Sequence, residues 1–164
     1  MDFKELIAKR HSVHSFEKRE VERELLDGII DAAMTAPSSK NSRSTGFMIV
    51  TDPSTLEALS QMRESGSAPL KDAPAAIIVL GDKDKSDMWL INSSISASYI
   101  YLAATDAGLG SCWIQIQGRL RCKAENQGET AEDYVRNLLG IKENMGILCA
   151  FAIGYPSCAI ESTP

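Results

Sequence analysis

Three short segments of this chain concentrate the side chains that could bind or react. The first is KRHSVHSF, residues 9–16. Arg10 and Ser12 place a planar cation and a hydroxyl two positions apart, a pairing suited to a phosphate. His11 and His14, the chain's two histidines, extend that row of donors. An arginine closing a short helix would look the same, because a cation there is favoured by the helix dipole. The second segment is APSSKNSRST, residues 36–45. Ser38, Ser39 and Asn41 offer several short polar groups on a loop, although such residues also simply close turns. The third is GLGSCWIQI, residues 108–116, whose glycines let another group lie close to the backbone, as they also would in a core strand following a helix stop.

No side-chain set for difficult chemistry accompanies these segments. No carboxylate pattern surrounds the histidines, and GxSxG, HExxH and P-loop signatures are absent. Cys112, Cys122, Cys149 and Cys158 form no CxxC pair and no tight ligand cluster with histidine. Cys112 and Cys149 lie inside apolar runs, so all four are read as reduced structural thiols. A GxGxxG motif is missing as well, since the glycines at 108–111 stand where a helix ends rather than begins. No catalytic side chain and no metal site is nominated; redox chemistry would have to come from a cofactor.

The totals narrow the class. A chain of 164 residues that is 44% hydrophobic and 24% charged has the makings of one globular domain over residues 1–164. A net charge of -5 gives no summed positive field for nucleic acid. The opening MDFKELIAKR mixes charges into its apolar residues and has no signal-peptide h-region. The longest apolar-looking stretch, 88–110, carries Asn92, four serines, Thr105 and Asp106, which suits a buried helix rather than a membrane span. A cytoplasmic protein without a membrane partner is expected.

The elements that must position the three segments follow from periodicity. Residues 2–9 predict a short helix capped by Asp2, and HSVHSF an extended stretch. Leu25, Leu26, Ile29, Ile30, Ala33 and Met34 predict a helix over 21–35, ended before Pro37. Strands are expected at 46–51, 75–81, 110–116 and 147–153. Helices are expected at about 53–63, opened by Asp52-Pro53, at 87–109, and at 131–139 between Thr130 and Gly140. In the long helix Ile91, Ile95, Tyr99 and Leu102 form one stripe, and Gly108 and Gly110 can end it with positive φ. The segment ESGSAPLKDAP is read as a loop. Strands that look buried on both faces, intermixed with helices, give an α/β or α+β sandwich with helices covering a central sheet.

Taken in order, the motifs resemble the nitroreductase family, in particular its short FMN-dependent members. RHSVHSF is similar to that family's RRSVRxF opening and APSSKNSR to its APSSxNxQP loop. DAGLGSCWIQI is similar to its xLGLGSCWI segment, and LLGIKEN with AIGYP to its ending. The resemblance spans residues 3–156. It implies an α+β fold, a three-layer sandwich whose central, mostly antiparallel sheet is flanked by helices, with FMN at the interface of a homodimer. It implies reduction by NADH or NADPH and ping-pong hydride transfer through flavin N5 to a nitroaromatic, a quinone or a similar small acceptor. A flavin-storing module and a dehalogenating or flavin-fragmenting relative are the alternatives.

Residue by residue, the resemblance places Arg10 and Ser12 on the FMN phosphate, with His11 beside them through its main chain. His14 stands where the family often has Arg or Lys, near the ribityl chain and pyrimidine edge. Pro37, Ser38, Ser39 and Asn41 would reach the flavin from the partner subunit. Trp113, Ile114, Gln115 and Ile116 match the strand end behind the isoalloxazine, where a backbone N–H near Gln115 or Ile116 would donate to the reactive edge. Fixed donors at that edge stabilise the negative charge that hydride brings. Arg63 or Arg119 could meet a nicotinamide 2′-phosphate, and the loop at 60–72 would form one wall of the acceptor pocket. The aromatic residue that often follows the APSS loop is missing at Ser42–Thr45. Lys142 is the last basic residue, whereas many relatives have one beyond IGYP that adds to the phosphate site, which leaves the strength of the hold on FMN open.

Overall fold

The computed structural model describes residues 1–121 and 128–157; Cys122, Cys158 and everything after Ser157 lie outside them. Two continuous apolar runs form the middle of the structure. Strand β2, Ala75–Asp82, and strand β4, Met145–Gly154, are buried along almost their whole length and pair antiparallel. Strand β1, Thr45–Val50, flanks β2, and strand β3, Gly110–Gln115, flanks β4. The order is β1-β2-β4-β3, and every neighbouring pair is antiparallel. A bulge at Leu148 shifts the β2–β4 register between Val79 and Leu80.

Side-chain alternation sorts the sheet residues into two cores. Ala76, Ile78 and Leu80 of β2 face Leu56 and Leu59 of helix α3 (Pro53–Ser60), Leu70 of helix α4 (Pro69–Asp72) and Val135 of helix α6 (Ala131–Leu139). Ala75, Ile77 and Val79 face Leu26, Ile29 and Ala33 of helix α2 (Arg23–Met34) and Ala97, Ile100 and Ala104 of helix α5 (Trp89–Asp106). The result is the expected three-layer α+β sandwich. Each fully buried Leu, Ile or Phe contributes about 1.5–3 kcal/mol of hydrophobic stabilisation.

The helix signals read from the sequence are realised atom by atom. Asp2 accepts from the Glu5 N–H at 2.9 Å, and its own N–H meets the Glu5 carboxylate, closing a capping box on helix α1 (Phe3–Lys9). Asp52 caps α3 with Pro53 in its first turn, and Thr130 caps α6, which ends at Gly140 with φ +65°. Helix α5 lies close on the sheet because Trp89 packs over Gly81 and Gly146, where any Cβ would overlap its ring.

Two readings need correction. ESGSAPLKDAP is not all loop: Pro69 opens the one-turn helix α4. Gly108 ends α5 with φ +76° as expected, but Gly110 has no positive φ; it is required because Val13 lies directly against it. On α5 the Ile91–Ile95 part of the stripe faces outward. Ile91 is 52% and Ile95 36% exposed, whereas the buried face of α5 carries Asn92, Ser93 and Ser96 beside Ala97 and Ile100. In this part of the helix Asn92, Ser93 and Ser96 point in while Ile91 and Ile95 point out.

Candidate functional site

The segment after α1 is extended and lies along the free edge of β3. Ser12 bridges Ser111 in parallel, and the Val13 N–H donates to the Ser111 carbonyl at 3.0 Å. Val13 and Phe16 turn into the core, while Ser12 and His14 stay exposed on the opposite side. Period-two alternation places Arg10, Ser12 and His14 on one face. Val13 seats against Gly110 so closely that a Cβ there would stand 2.8 Å from three of its carbons. His11 donates from Nδ1 to the Lys9 carbonyl at 2.8 Å, which fixes that nitrogen as the protonated one in the neutral ring.

Arg10 is half-buried, with its guanidinium 5.1 Å from the centre of the Tyr101 ring on α5. Among the described residues it makes no ion pair and no side-chain hydrogen bond, and neither do the side chains of Ser12 and His14. A cation and a hydroxyl therefore stand two positions apart on one face with their donors uncommitted, and an imidazole follows two positions further on. The Arg10–Ser12 pair fits a phosphate monoester.

Further along the same edge, β3 turns alternate backbone groups away from β4. Ser111 accepts from Val13, the Trp113 N–H donates to the Tyr101 hydroxyl at 3.2 Å, and the Gln115 carbonyl faces an Arg63 guanidinium nitrogen at 3.5 Å. The Gln115 N–H points out of the edge in the same series. The Ile116 N–H does not, since it donates to the Leu148 carbonyl at 3.1 Å. Of the two donors the sequence left open, Gln115 is the one directed outward. Ile114 and Ile116 are buried in the core and offer only main chain. The side chains of Trp113 and Gln115 brace the strand end: the indole N–H donates to Gln115 Oε1 at 2.8 Å, and Gln115 Nε2 donates to the Gln117 carbonyl at 3.0 Å.

Pro37, Ser38, Ser39 and Asn41 are elsewhere. Their loop precedes β1, at the opposite edge of the sheet, three strand spacings or roughly 14 Å from β3. One chain thus brings together the first and third segments and separates the second from both. Lys40, Asn41 and Arg43 adopt φ of 53°, 51° and 46°. Arg63 and Arg119 line one cavity of about 360 Å³ with Glu64, Ser65, Gly118 and Leu120, next to the end of β3.

Sequence reasoning missed two residues that organise these segments. Tyr101 touches both Arg10 and the Trp113 backbone and packs edge-on against Phe151. Asn92, buried in α5, bonds the 38–44 loop. Neither carries a local signal; an asparagine inside an apolar helix, where it needs partners, was the one available hint. Cys112 and Cys149 take no part: burial pushes the Cys112 thiol up and the Cys149 thiol further, so both stay protonated near neutrality. Among the described residues no His, Cys, Asp and Glu group could hold a metal, and no helix is long and apolar enough to cross a membrane.

Comparison with known proteins gives a consistent result. The sequence profile of the nitroreductase family matches residues 7–66 and 56–155. An FMN-dependent nitroreductase from Clostridium difficile superposes with a TM-score of 0.90 at 39% identity, covering 97% of this chain and 90% of that one. A nitroreductase family protein from Clostridium novyi superposes at 0.82 with 28% identity, covering 96% and 86%. A protein of Methanothermobacter thermautotrophicus, provisionally named an NADH dehydrogenase/NAD(P)H nitroreductase, is 34% identical over 160 residues, 96% of this chain and 78% of the relative.

Proposed function

The chain belongs to the nitroreductase family, a family of oxidoreductases, and from that premise we propose that it is an FMN-dependent NAD(P)H oxidoreductase acting as a homodimer on nitroaromatic, quinone or related small acceptors. FMN, when bound, supplies the two-electron hydride chemistry that no side chain of this protein can perform. The observation that carries the reading is the β3 edge. It presents an uncommitted phosphate-binding set at one end and the outward Gln115 N–H at the other. Ser111 and Gln115 are four residues apart, roughly 13 Å along a strand, enough for a phosphate and a ring system joined by an extended linker.

In this reading Arg10 and Ser12 bind the phosphate, with Tyr101 orienting the Arg10 guanidinium. His14 lies beside the pyrimidine edge. The Gln115 N–H is held in place by the Trp113–Gln115–Gln117 bracing and donates to the ring where negative charge develops, without needing to reorganise. Nicotinamide and acceptor use the same exposed face in turn. Arg63 and Arg119 form the wall nearest the Gln115 end.

Two features support a second copy. The loop with Ser38, Ser39 and Asn41 is at the wrong edge to serve its own chain's β3 site. Outward-facing Ile91 and Ile95 on α5 and Met88 at its N-cap, with Phe3 and Ile7 on α1, leave apolar surface uncovered. The experiment is anaerobic spectroscopy of the purified protein. A yellow protein bleached by NADH or NADPH and re-oxidised by a quinone supports the reading. A yellow protein that neither nucleotide bleaches favours a flavin store, and a protein that takes up no FMN ends it.

A further inference from the structure

The 38–44 loop holds a conformation that its own sequence does not favour. Lys40, Asn41 and Arg43 all carry side chains in the left-handed region. Bonds within the loop, Asn41 N–H to the Ser38 carbonyl and Arg43 N–H to Ser38 Oγ, close its turns but do not attach it to the domain. Attachment comes from Asn92, a side chain only 2% exposed. Its Oδ1 accepts from the Ser39 N–H at 2.9 Å. Its Nδ2 donates to Ser44 Oγ at 3.0 Å and to Ser42 Oγ at 3.2 Å, with Ser86 Oγ at 3.4 Å. Apart from the Asp82 N–H on the Ser44 carbonyl, every hydrogen bond that reaches residues 38–44 from elsewhere among the described residues comes from this one amide.

We infer that Asn92 is a positioning residue for the flavin site: it fixes the Ser38–Ser44 loop in the shape that meets FMN bound on the second copy. This inference rests on the shared-site reading above. The side-chain type is specific. An amide accepts from an obligatory backbone donor and donates to hydroxyls at the same time. A carboxylate could do only the first, and an aliphatic residue neither. The surroundings reinforce the role. One turn further on, buried Ser96 donates to the Ala33 carbonyl at the end of α2, fixing the chain just before the loop. Ser93 donates to the Leu80 carbonyl, tying this part of α5 to β2. The inward-facing polar residues of α5 thus anchor the loop, while the same helix turns Ile91 and Ile95, with Met88 at its N-cap, outward. A second copy seated on those residues would meet a loop already in place.

The test uses the full-length protein with Asn92→Ala and Asn92→Asp, alongside Ser98→Ala, an exposed change on the same helix, as control. Trypsin provides a readout that does not involve activity, because Lys40 and Arg43 are exposed within the loop. On flavin-free protein, cleavage after Lys40 and Arg43 is expected to accelerate at least tenfold in Asn92→Ala, with other sites unchanged. FMN affinity, followed by flavin fluorescence, is expected to fall at least tenfold, with the control like wild type. Asn92→Asp keeps the acceptor and loses the donor, so it should be intermediate; it carries both readouts if Asn92→Ala does not fold. Unchanged loop cleavage in a folded variant overturns the inference. So does a loosened loop with unchanged FMN affinity, a result that leaves FMN binding itself intact. Wild-type protein that takes up no FMN fails the cofactor reading instead, and with it the inference.

Discussion

Gly110→Ala should damage FMN binding although it touches no group assigned to the flavin. A Cβ at this position would stand 2.8 Å from Val13 Cβ, Cγ1 and Cγ2. Ordinary carbon–carbon contacts are about 3.5–4.0 Å, so the two must separate by roughly 1 Å. Val13 cannot swing away, because its Cβ is among the overlapping atoms and moves only with the backbone. The backbone that must move is the segment bearing Arg10, Ser12 and His14, pinned by the Val13 N–H on the Ser111 carbonyl. A retreat of roughly 1 Å would stretch a hydrogen bond of about 2.9 Å beyond bonding distance. Losing one or two charge-assisted phosphate contacts, at about 1.5–3 kcal/mol each, corresponds to about a ten- to ten-thousandfold rise in the FMN dissociation constant. Overpacking should also cost about 1–3 kcal/mol of stability. Fluorescence titration of FMN with Gly110→Ala, Val13→Ala and the double variant reads the effect. Val13→Ala removes two of the three contacts and should recover part of the loss. An unchanged dissociation constant in a Gly110→Ala protein that melts lower would show that the segment's position does not matter to the flavin.

Other outcomes follow from the same geometry. Arg10→Ala should weaken FMN by about 2 kcal/mol or more, and Tyr101→Phe, which removes the acceptor of the Trp113 N–H, by less; isothermal titration ranks them, and equal affinities would make Arg10 a plain helix-end cation. His14→Arg should raise the flavin reduction potential and His14→Gln lower it, as a permanent or absent positive charge beside reduced flavin requires; identical anaerobic redox titrations would remove His14 from the site. Arg136 is buried, pairs with Glu132 at 2.8 Å and donates to the Ile141 and Lys142 carbonyls. Arg136→Ala should cost about 3–5 kcal/mol, a fall in Tm of roughly 6–20 °C by calorimetry, and a shift under 2 °C would contradict it. The Tyr155 hydroxyl donates to Glu22 at 2.6 Å, which raises the Tyr155 pKa and, as the largest cause, lowers that of Glu22 to about 2. Glu22→Gln should return phenolate formation at Tyr155 to lower pH in an ultraviolet titration. A lowered carboxylate pKa means the Glu22 contribution is present at neutral pH and fades as pH falls from about 4.5 towards about 2.

Periodicity and caps made most of the fold legible. AAIIVLG and ILCAFAI read as buried strands because a strand covered on both faces needs no polar positions. Asp2, Asp52-Pro53, Thr130 and Gly140 marked helix ends through bonds that are local in sequence. Helix α4 escaped because one turn is too short to show a period. The isoleucine stripe of α5 was legible, but which residues line the buried face of that helix was not. Burial of Asn92, Ser93 and Ser96 depends on acceptors and donors at residues 33, 39, 44 and 80, which no local window contains. At the site, residue types and order pointed to Arg10, Ser12 and the 113–116 strand. Strand alternation was needed to separate Gln115 from Ile116, and sheet order to separate the 37–41 loop from the rest.

The central claim, a flavin site completed across two chains, is tested most directly by mixing two defective chains. Arg10→Ala lacks the phosphate cation, and Asn41→Ala, at φ 51°, disrupts the loop. Each homodimer should bind FMN weakly. In a mixed dimer, the Arg10 side of the Asn41→Ala chain faces the intact loop of the Arg10→Ala chain, so one site is whole and the other doubly damaged. FMN titration of isolated mixed dimers should therefore show one flavin per two chains at wild-type affinity. No tight site in the mixed dimer would mean that each chain builds its site alone, and the shared-site account would be wrong.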